Sequence, residues 1–404
     1  MERQTFDEKS STGTLTLLRP LALLWLAGVM LRLTILALPP VLPSIETEFH
    51  LRGYEIGVLA AIPSFFFALA ALPGAALISR YGAVPCLLAG LLANALGAAA
   101  RGFAGSVIGL ALATSVMCLG VAIMQPAMPT LVRAWAPTRV GLASALYTCG
   151  LLCGEVLPVL WPYAPEIPLI GGGWRAVLFE WSLPVLATAV VIASFRPRTS
   201  SSQVFSTAKS PSNWRRGSIW QVGLLLGAVN ASYFGLNGFL PGWLSNAGAS
   251  SEVQPALLAL NGAQIPASLL MTISVEHLAL RRVGYVVAGL AVLIGSVGIA
   301  TGPTAFAIAF AISSGFSLGC LLTMCLALPP LTVAADEVPS FSAAVFTISY
   351  TIAVLTALLS GVLEAVGPSR SISMLPIAAA ALTVVAVGGT MRRRSYEPNE
   401  DTSR

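Results

Sequence analysis

The chain has 404 residues, of which 56% are hydrophobic and only 10% are charged, and its mean hydropathy is +0.82. A soluble domain carries about 25% charged residues, so this composition excludes a water-exposed globular protein and predicts an all-α integral membrane protein. The net charge is +5, but the basic residues form no patch interleaved with aromatic residues, which excludes a nucleic-acid-binding surface.

Charge-free apolar runs bounded by turn residues predict twelve transmembrane helices. The uncharged run from Val283 to Ala335 is too long for one helix, and Thr301-Gly302-Pro303 divides it into two spans. The predicted spans lie at 19–43, 55–79, 84–102, 106–131, 139–161, 174–195, 217–244, 254–276, 284–301, 304–331, 340–363 and 370–391.

The distribution of lysine and arginine predicts the orientation. With a cytoplasmic N-terminus, seventeen of the 22 basic residues fall in cytoplasmic segments and one, Arg32, falls in the membrane. The remaining four are assigned to outside segments: Arg52, Arg101, Arg175 and Arg370. Because membrane proteins retain basic residues on the cytoplasmic side, both termini are expected to be cytoplasmic, in a plasma (inner) membrane.

One long polar segment divides the chain. Residues 196–216 are rich in serine and threonine, have basic residues at both ends, and lie between the sixth and seventh spans. This composition is typical of a flexible linker, so residues 1–195 and 217–394 are predicted to form two six-helix bundles. The polar tail at 395–404 is predicted to be disordered.

The first span contains one charge, Arg32, close to its middle. A central arginine facing lipid costs about 2.5–3.5 kcal/mol, which favours a position facing a protein interior or a water-filled cavity. A guanidinium binds planar anions through paired hydrogen bonds, so Arg32 is a candidate substrate-binding residue. Glu155 in the fifth span is the candidate proton-coupling residue, or alternatively the permanent counter-ion of Arg32.

Neutral polar residues supply further candidates for the cavity lining. Asn230, Tyr233 and Asn237 recur at i, i+3 and i+7, so they form one polar stripe on the seventh span, available for the cavity or for interhelical hydrogen bonds. Gln125 precedes Pro126 in the fourth span, where a carbonyl is released from the helix ladder. Asn261 and Gln264 form a similar polar pair on the eighth span.

No catalytic constellation occurs. There is no phosphate-binding loop, no pair of catalytic carboxylates and no Ser-His-Asp set, and the predicted loops are too short for an enzyme domain. The six cysteines lie in apolar runs without Cys-x-x-Cys spacing, and two histidines cannot form a metal centre. The expected protein is therefore not an enzyme, needs no cofactor or metal, and acts as a monomer in the lipid bilayer.

Six spans, a linker and six further spans resemble the plan of the major facilitator superfamily. The segment Gly74 to Pro85 lies where that superfamily has the gating-loop motif G-x-x-x-D-R-x-G-R/K. Arg80 and Gly82 match it, and Gly74 lies one residue before the position of its first glycine. Ser79 and Ala83 replace its acidic and final basic residues. Arg281 and Arg282 occupy the corresponding loop of the second half.

Four further segments are similar to the cyanate and nitroimidazole permease branch of this superfamily. They are MLRLTILALPPVLPSI, GVAIMQPAMPTLVRAWAP, WRAVLFEWSLPVL and NASYFGLNGFLPGWL. Arg32 corresponds to the arginine of that branch's N-L-R-P motif, and Tyr350 is similar to one of its tyrosines, whereas Met30 and Asn230 depart from its pattern. The resemblance implies a carrier of small anions or small polar solutes and does not identify the solute.

These observations predict a secondary transporter that moves a small monovalent anion by alternating access, with proton coupling left open. One alternative is a drug or cation efflux carrier in which Glu155 is the binding charge. Another is a membrane sensor that transports nothing. The sign of the charge on a stabilising ligand separates the first two hypotheses, and flux in liposomes separates both from the third.

Overall fold

The computed structural model describes residues 18–137, 139–160, 172–197, 214–333, 338–367 and 369–391. All regular elements in these ranges are helices. We number the spans α1 to α12. In the first half they are α1 Leu18–Phe49, α2 Gly53–Tyr81, α3 Ala83–Arg101, α4 Val107–Trp135, α5 Val140–Leu160 and α6 Trp174–Phe195. In the second half they are α7 Gly217–Asn246, α8 Val253–Gly262 with Gln264–Leu278, α9 Arg282–Thr301, α10 Ala307–Thr332, α11 Val338–Val366 and α12 Leu375–Gly389.

The twelve predicted spans correspond to these twelve helices. Eleven regions of the described chain are long and apolar enough to cross a membrane. The exception, α8, consists of segments of 10 and 15 residues on either side of Ala263. The main correction concerns α1, which continues beyond the predicted end at residue 43 to Phe49 and includes Glu46 and Glu48.

The helices pack mainly within each half of the chain. In the first half, α1 packs on α5, α2 on α4, and α3 on both α4 and α6. In the second half, α7 packs on α11 and α12, α8 on α10, and α9 on α10 and α12. The halves meet chiefly through α2 with α11 and through α5 with α8. The division into two bundles stays a prediction, because 198–213 of the predicted linker and 395–404 of the tail lie outside the described residues.

Two helices occupy the centre of the molecule. The membrane-crossing parts of α1 and α7 bury a much larger share of their residues than those of the other spans. A helix buried on all sides offers no lipid-facing surface, so its polar residues lie against other helices or internal cavities. Candidate binding residues on α1 and α7 are therefore held inside the protein.

The halves touch closely where α2 begins and α11 ends. A Cβ added to Gly361 would lie 2.6 Å from the carbonyl oxygen of Gly53 and 2.7 Å from Cα of Gly57. At the same end of the molecule, Nε2 of Gln254 in α8 donates a hydrogen bond to the carbonyl oxygen of Val159 in α5, at 3.2 Å. These contacts close that end of the space between the halves.

Candidate functional site

The centre of the site is a break in α1. The backbone N–H groups of Leu31 and Arg32 bond to carbonyls three residues earlier, and regular α-helix resumes only over Leu33–Leu36. A 3₁₀ turn over Pro39–Val41 follows. Because Pro39 and its neighbour Pro40 lack N–H groups, the helix ladder cannot continue through them. Arg32 is thus the cap residue of a short helical segment in the middle of a buried span.

Arg32 forms an ion pair with Glu155 of α5, with 3.4 Å between Nε and Oε1. Arg32 is 7% exposed and Glu155 is 1% exposed. The pair is possible because α5 approaches α1 at two glycines: a Cβ at Gly150 would collide with the Trp25 carbonyl, and one at Gly154 with the Val29 carbonyl. The sequence spacing Gly-x-x-x-Gly predicts this kind of close contact.

Glu155 also joins the two halves of the protein. Its second carboxylate oxygen, Oε2, accepts a hydrogen bond of 3.0 Å from Nε2 of Gln264 in α8. The cavity beside this bridge has a volume of about 10 Å³, which is enough space for about one water molecule. It is lined by Arg32, Glu155, Val229, Asn230, Tyr233, Gln264, Leu318 and Leu322. An ion pair and a second-half amide therefore share one small, enclosed polar cavity.

Aromatic rings from both halves flank the guanidinium. Its carbon lies 5.6 Å from the ring centre of Phe67 in α2 and 5.4 Å from that of Phe234 in α7. Rings at this distance attract a cation through their negative faces. Nη1 of Arg32 is buried and has no hydrogen-bond partner among the described residues. The guanidinium thus retains an unused donor while its Nε faces Glu155.

The predicted polar stripe of α7 bonds to neighbouring helices. Tyr233 donates its hydroxyl hydrogen to Oδ1 of Asn261 at 3.0 Å, and Asn261 Nδ2 donates to Oδ1 of Asn237 at 2.9 Å. Asn230 donates to the hydroxyl of Ser349 in α11 at 2.8 Å. Asn230 and Tyr233 line the cavity, whereas Asn237 is used for the contact with α8.

The remaining predicted binding residues meet at the boundary between the halves. Nε2 of Gln125 in α4 donates to the hydroxyl of Tyr350 in α11 at 3.2 Å. The ring of Tyr350 lies 5.0 Å from that of Phe67, which in turn contacts Arg32. Gln125 and Tyr350 therefore connect to the Arg32 site through Phe67, and neither is among the residues that line the small cavity.

None of the predicted gating-loop residues is among those that line this cavity, and all except Gly74 lie at helix ends. Arg80 is in the last turn of α2 beside the ring of Tyr81, and Gly82, with φ +87°, lets the chain turn directly into α3. Gly74 contacts Pro126 of α4 so closely that an added Cβ would lie 2.8 Å from its Cγ. Arg281 caps α9 and Arg282 begins it, and both are exposed.

Sequence reasoning missed several residues around the site. Phe234 and Ser349 stand in apolar stretches that give no periodic signal. Arg101 was assigned to an outside segment, which is wrong, because its side chain is fully buried against α1. A usable signal existed: Asn94 and Arg101 are seven residues apart, so they share one face of an otherwise apolar helix.

Comparison with known families agrees with this architecture. The family model described as Major Facilitator Superfamily matches residues 24–357. The chain belongs to the Major Facilitator Superfamily. It is a multi-pass membrane transporter of the secondary type, moving a small molecule, and the resemblance noted from its sequence motifs is confirmed.

Curated relatives include two bacterial transporters. The chain is 26% identical over 304 residues to the uncharacterized transporter YycB of Bacillus subtilis (strain 168), covering 73% of this chain and 74% of that protein. It is 24% identical over 318 residues to the cyanate transport protein CynX of Escherichia coli (strain K12), covering 76% of this chain and 80% of that protein.

Solved structures share the fold at low sequence identity. A bacterial homologue of the human lysosomal transporter Spinster, in an inward-facing and unoccupied conformation, matches with a TM-score of 0.71 and 15% identity over 93% of this chain and 95% of that one. The nucleoside transporter NupG matches with a TM-score of 0.71 and 10% identity over 91% and 98%. At these identities the matches support the fold alone.

Proposed function

We propose that this transporter carries a small monovalent anion, with Arg32 as its binding group. The observation that supports this most directly is the buried guanidinium at the break of α1, which contacts both halves. Its Nη1 has no hydrogen-bond partner among the residues that the structure describes. A guanidinium in a low-dielectric interior attracts an anion strongly and presents paired donors to it. One cation balances one negative charge, which favours a monovalent anion.

In this proposal, protonation of Glu155 couples anion binding to proton binding. In its charged form the carboxylate occupies the Nε side of Arg32 and neutralises it. An entering anion must compete with that carboxylate, and protonation of Glu155 removes the competition because a neutral carboxyl group no longer offsets the guanidinium charge. We therefore infer that proton and anion bind together, which leaves the net charge of the site unchanged during transport.

The relatives support the class of solute. CynX is described as a cyanate transport protein, and cyanate is a small monovalent anion. The present chain differs from the permease pattern at Met30 and Asn230, of which Asn230 lines the cavity. The proposed substrate class is therefore small monovalent anions.

The cation-efflux alternative has less support from the geometry. Glu155 would have to bind the transported cation, but Arg32 already neutralises it. The rings of Phe67 and Phe234, which would attract an organic cation, face the guanidinium instead. A cationic solute would thus have to displace the Arg32 guanidinium from Glu155 and from both rings.

The basic-residue distribution supports an orientation with both termini cytoplasmic, and the bacterial relatives support a plasma-membrane location. We propose that the protein acts there as a monomer. In that orientation, the contact of Gly53 and Gly57 with Gly361 lies on the outer side. The arrangement corresponds to a state closed toward the outside, and the halves would rock about the Arg32 site to open it. Arg80, Arg281 and Arg282 then lie at the cytoplasmic helix ends, where the gating loops are proposed.

A counterflow screen tests the proposal. Purified protein in proteoliposomes is preloaded with one unlabelled solute and offered the labelled form, using cyanate, nitrate and formate as anions, tetramethylammonium as a cation and glycerol as a neutral solute. We expect counterflow with at least one anion, faster at the lower of two pH values, and none with the cation. Counterflow of the cation alone would establish the efflux alternative, and absence of all flux would support the sensor.

A further inference from the structure

The break in α1 releases a backbone carbonyl that accepts a hydrogen bond from α3. The N–H group of Leu38 bonds to Ile35 and not to Thr34, so the Thr34 carbonyl loses its helical partner. Nη2 of Arg101 donates a hydrogen bond of 2.9 Å to that oxygen. A charged donor forms a stronger bond than a neutral one, and a buried carbonyl without a partner is costly. Arg101 therefore stabilises the broken form of α1.

Asn94, seven residues before Arg101 on α3, bonds to α1 on both sides of the interruption at Arg32. Its Nδ2 donates to the carbonyl oxygen of Met30 at 3.1 Å, and its Oδ1 accepts from the hydroxyl of Thr34 at 2.8 Å. Met30 and Thr34 stand two residues before and two residues after Arg32. The amide thus connects the two backbone segments between which the binding arginine lies.

The opposite side of α1 is held by α5, because Gly150 and Gly154 bring the α5 backbone into contact with Trp25 and Val29. We propose that Asn94 and Arg101 are positioning residues that, together with this glycine contact, fix the direction in which Arg32 points. This inference rests on the proposed function of Arg32 as the anion-binding group. If the break relaxed to continuous helix, a shift of one residue would rotate the guanidinium by about 100° around the α1 axis.

The burial of Arg101 also favours a role beyond packing. Its side chain is fully buried, yet Nε and Nη1 have no hydrogen-bond partner in the part of the chain that the structure describes. A buried charge without a carboxylate is costly, and an apolar residue would fill the same space without that cost. What the guanidinium supplies, and an apolar residue does not, is the bond to the Thr34 carbonyl.

Thr34 offers the sharpest test, because Thr34→Val keeps the side-chain shape and removes only the hydroxyl that bonds to Asn94. The probe is anion affinity, measured as the dependence of thermal stability in detergent on the concentration of the anion that gives the strongest counterflow. We expect Thr34→Val to weaken affinity about 5- to 30-fold, the range for losing one buried hydrogen bond that orients a charged group. Thr34→Ser restores the hydroxyl and should recover most of the affinity.

A matched control distinguishes positioning from general destabilisation. Thr114 of α4 is equally buried, but its hydroxyl bonds only to Leu110 of its own helix. Thr114→Val should leave affinity unchanged, while its melting temperature without anion reports the general cost of the substitution. For Arg101 the corresponding pair is Arg101→Met, with a loss of about tenfold or more, and Arg101→Lys, which keeps a charged donor and recovers part of the affinity.

The outcomes separate the two proposals. If wild-type protein responds to no anion, the proposed function fails and this inference fails with it. If wild-type protein responds and Thr34→Val binds equally well, only the positioning role is overturned. An affinity loss that Thr34→Ser does not recover, or that Thr114→Val shares, also overturns it.

Discussion

The central helices α1 and α7 both carry polar residues inside the protein, but they differ in backbone continuity and in charge. Each begins one half of the chain and is buried on most sides. Helix α1 is interrupted at Arg32 and contains the charge of the site, whereas α7 runs without interruption over 30 residues, Gly217–Asn246, and offers only neutral polar groups to its neighbours. The charge of α1 is balanced within its own half, by Glu155 of α5.

The difference assigns separate tasks to the two halves. In the proposed mechanism the first half sets which charge can bind, because both members of the ion pair belong to it. The second half contributes neutral hydrogen bonds that cross to it, such as the one from Gln264 to Glu155. Neutral amides can also bond within a continuous helix, as Asn237 does with the Tyr233 carbonyl, so α7 needs no break.

The largest effect is expected from removing the charge of α1. Arg32→Gln should lower anion affinity about 100-fold or more, because two charge-assisted hydrogen bonds are lost. Arg32→Lys, which keeps the charge and loses the planar fork, should retain an intermediate affinity. Affinity is measured by anion-dependent thermal stabilisation of folded protein in detergent. Near-normal counterflow by Arg32→Gln would show that Arg32 does not bind the transported anion.

Neutralising Glu155 should change the pH dependence. In the wild type, uptake is expected to fall as pH rises, because the charged carboxylate then competes with the anion for Arg32. Glu155→Gln keeps the shape and should make initial uptake nearly constant over about pH 5.5 to 8.5. Glu180→Gln on the peripheral helix α6 is the control and should keep the wild-type profile. A pH-dependent Glu155→Gln transporter would exclude Glu155 as the proton site.

A third substitution tests the task of the second half. Gln264→Leu removes the hydrogen bond that links Glu155 to α8, and it should reduce turnover about tenfold while changing anion affinity by less than about threefold. Counterflow rates compared with binding isotherms measure the two quantities separately. Gln254→Leu, which removes a different bond between α8 and α5, is the matched control and should have a smaller effect on turnover. Equal losses of affinity and turnover would show that the second half binds the anion directly.

The smallest effect is expected at the contact where α2 begins and α11 ends. In Gly361→Ala the added Cβ meets the backbone of Gly53 and Gly57, so this end should close less readily and turnover should fall about threefold with affinity unchanged. Gly262→Ala in α8 meets nothing within 4 Å and should leave turnover at the wild-type level. A Gly361→Ala transporter as fast as Gly262→Ala would mean that this contact does not limit the cycle.

The sequence by itself determined the membrane class, the twelve spans and the two charges of the site. These follow from composition and local pattern, because a bilayer demands about 20 apolar residues per helix and makes each internal charge conspicuous. The pairing of Arg32 with Glu155 was also foreseeable, since an isolated buried charge needs a partner. The Gly-x-x-x-Gly spacing of α5 indicated the close helix approach that permits it.

Only the tertiary structure decided which residues complete the site. Phe234 and Ser349 are brought to it by contacts between distant helices, and such contacts leave no periodic trace in an apolar sequence. The sequence marks Gln264 by its spacing from Asn261, but its bond to Glu155 follows only from the fold.

Arg101 is the clearest case of a residue whose environment the sequence does not predict. At the end of a span, an arginine is expected to reach the membrane surface. It is instead buried and donates a hydrogen bond to the Thr34 carbonyl. Pro39 and Pro40 indicate in the sequence that α1 is interrupted, but only the folded chain brings α3 to the carbonyl that the interruption releases.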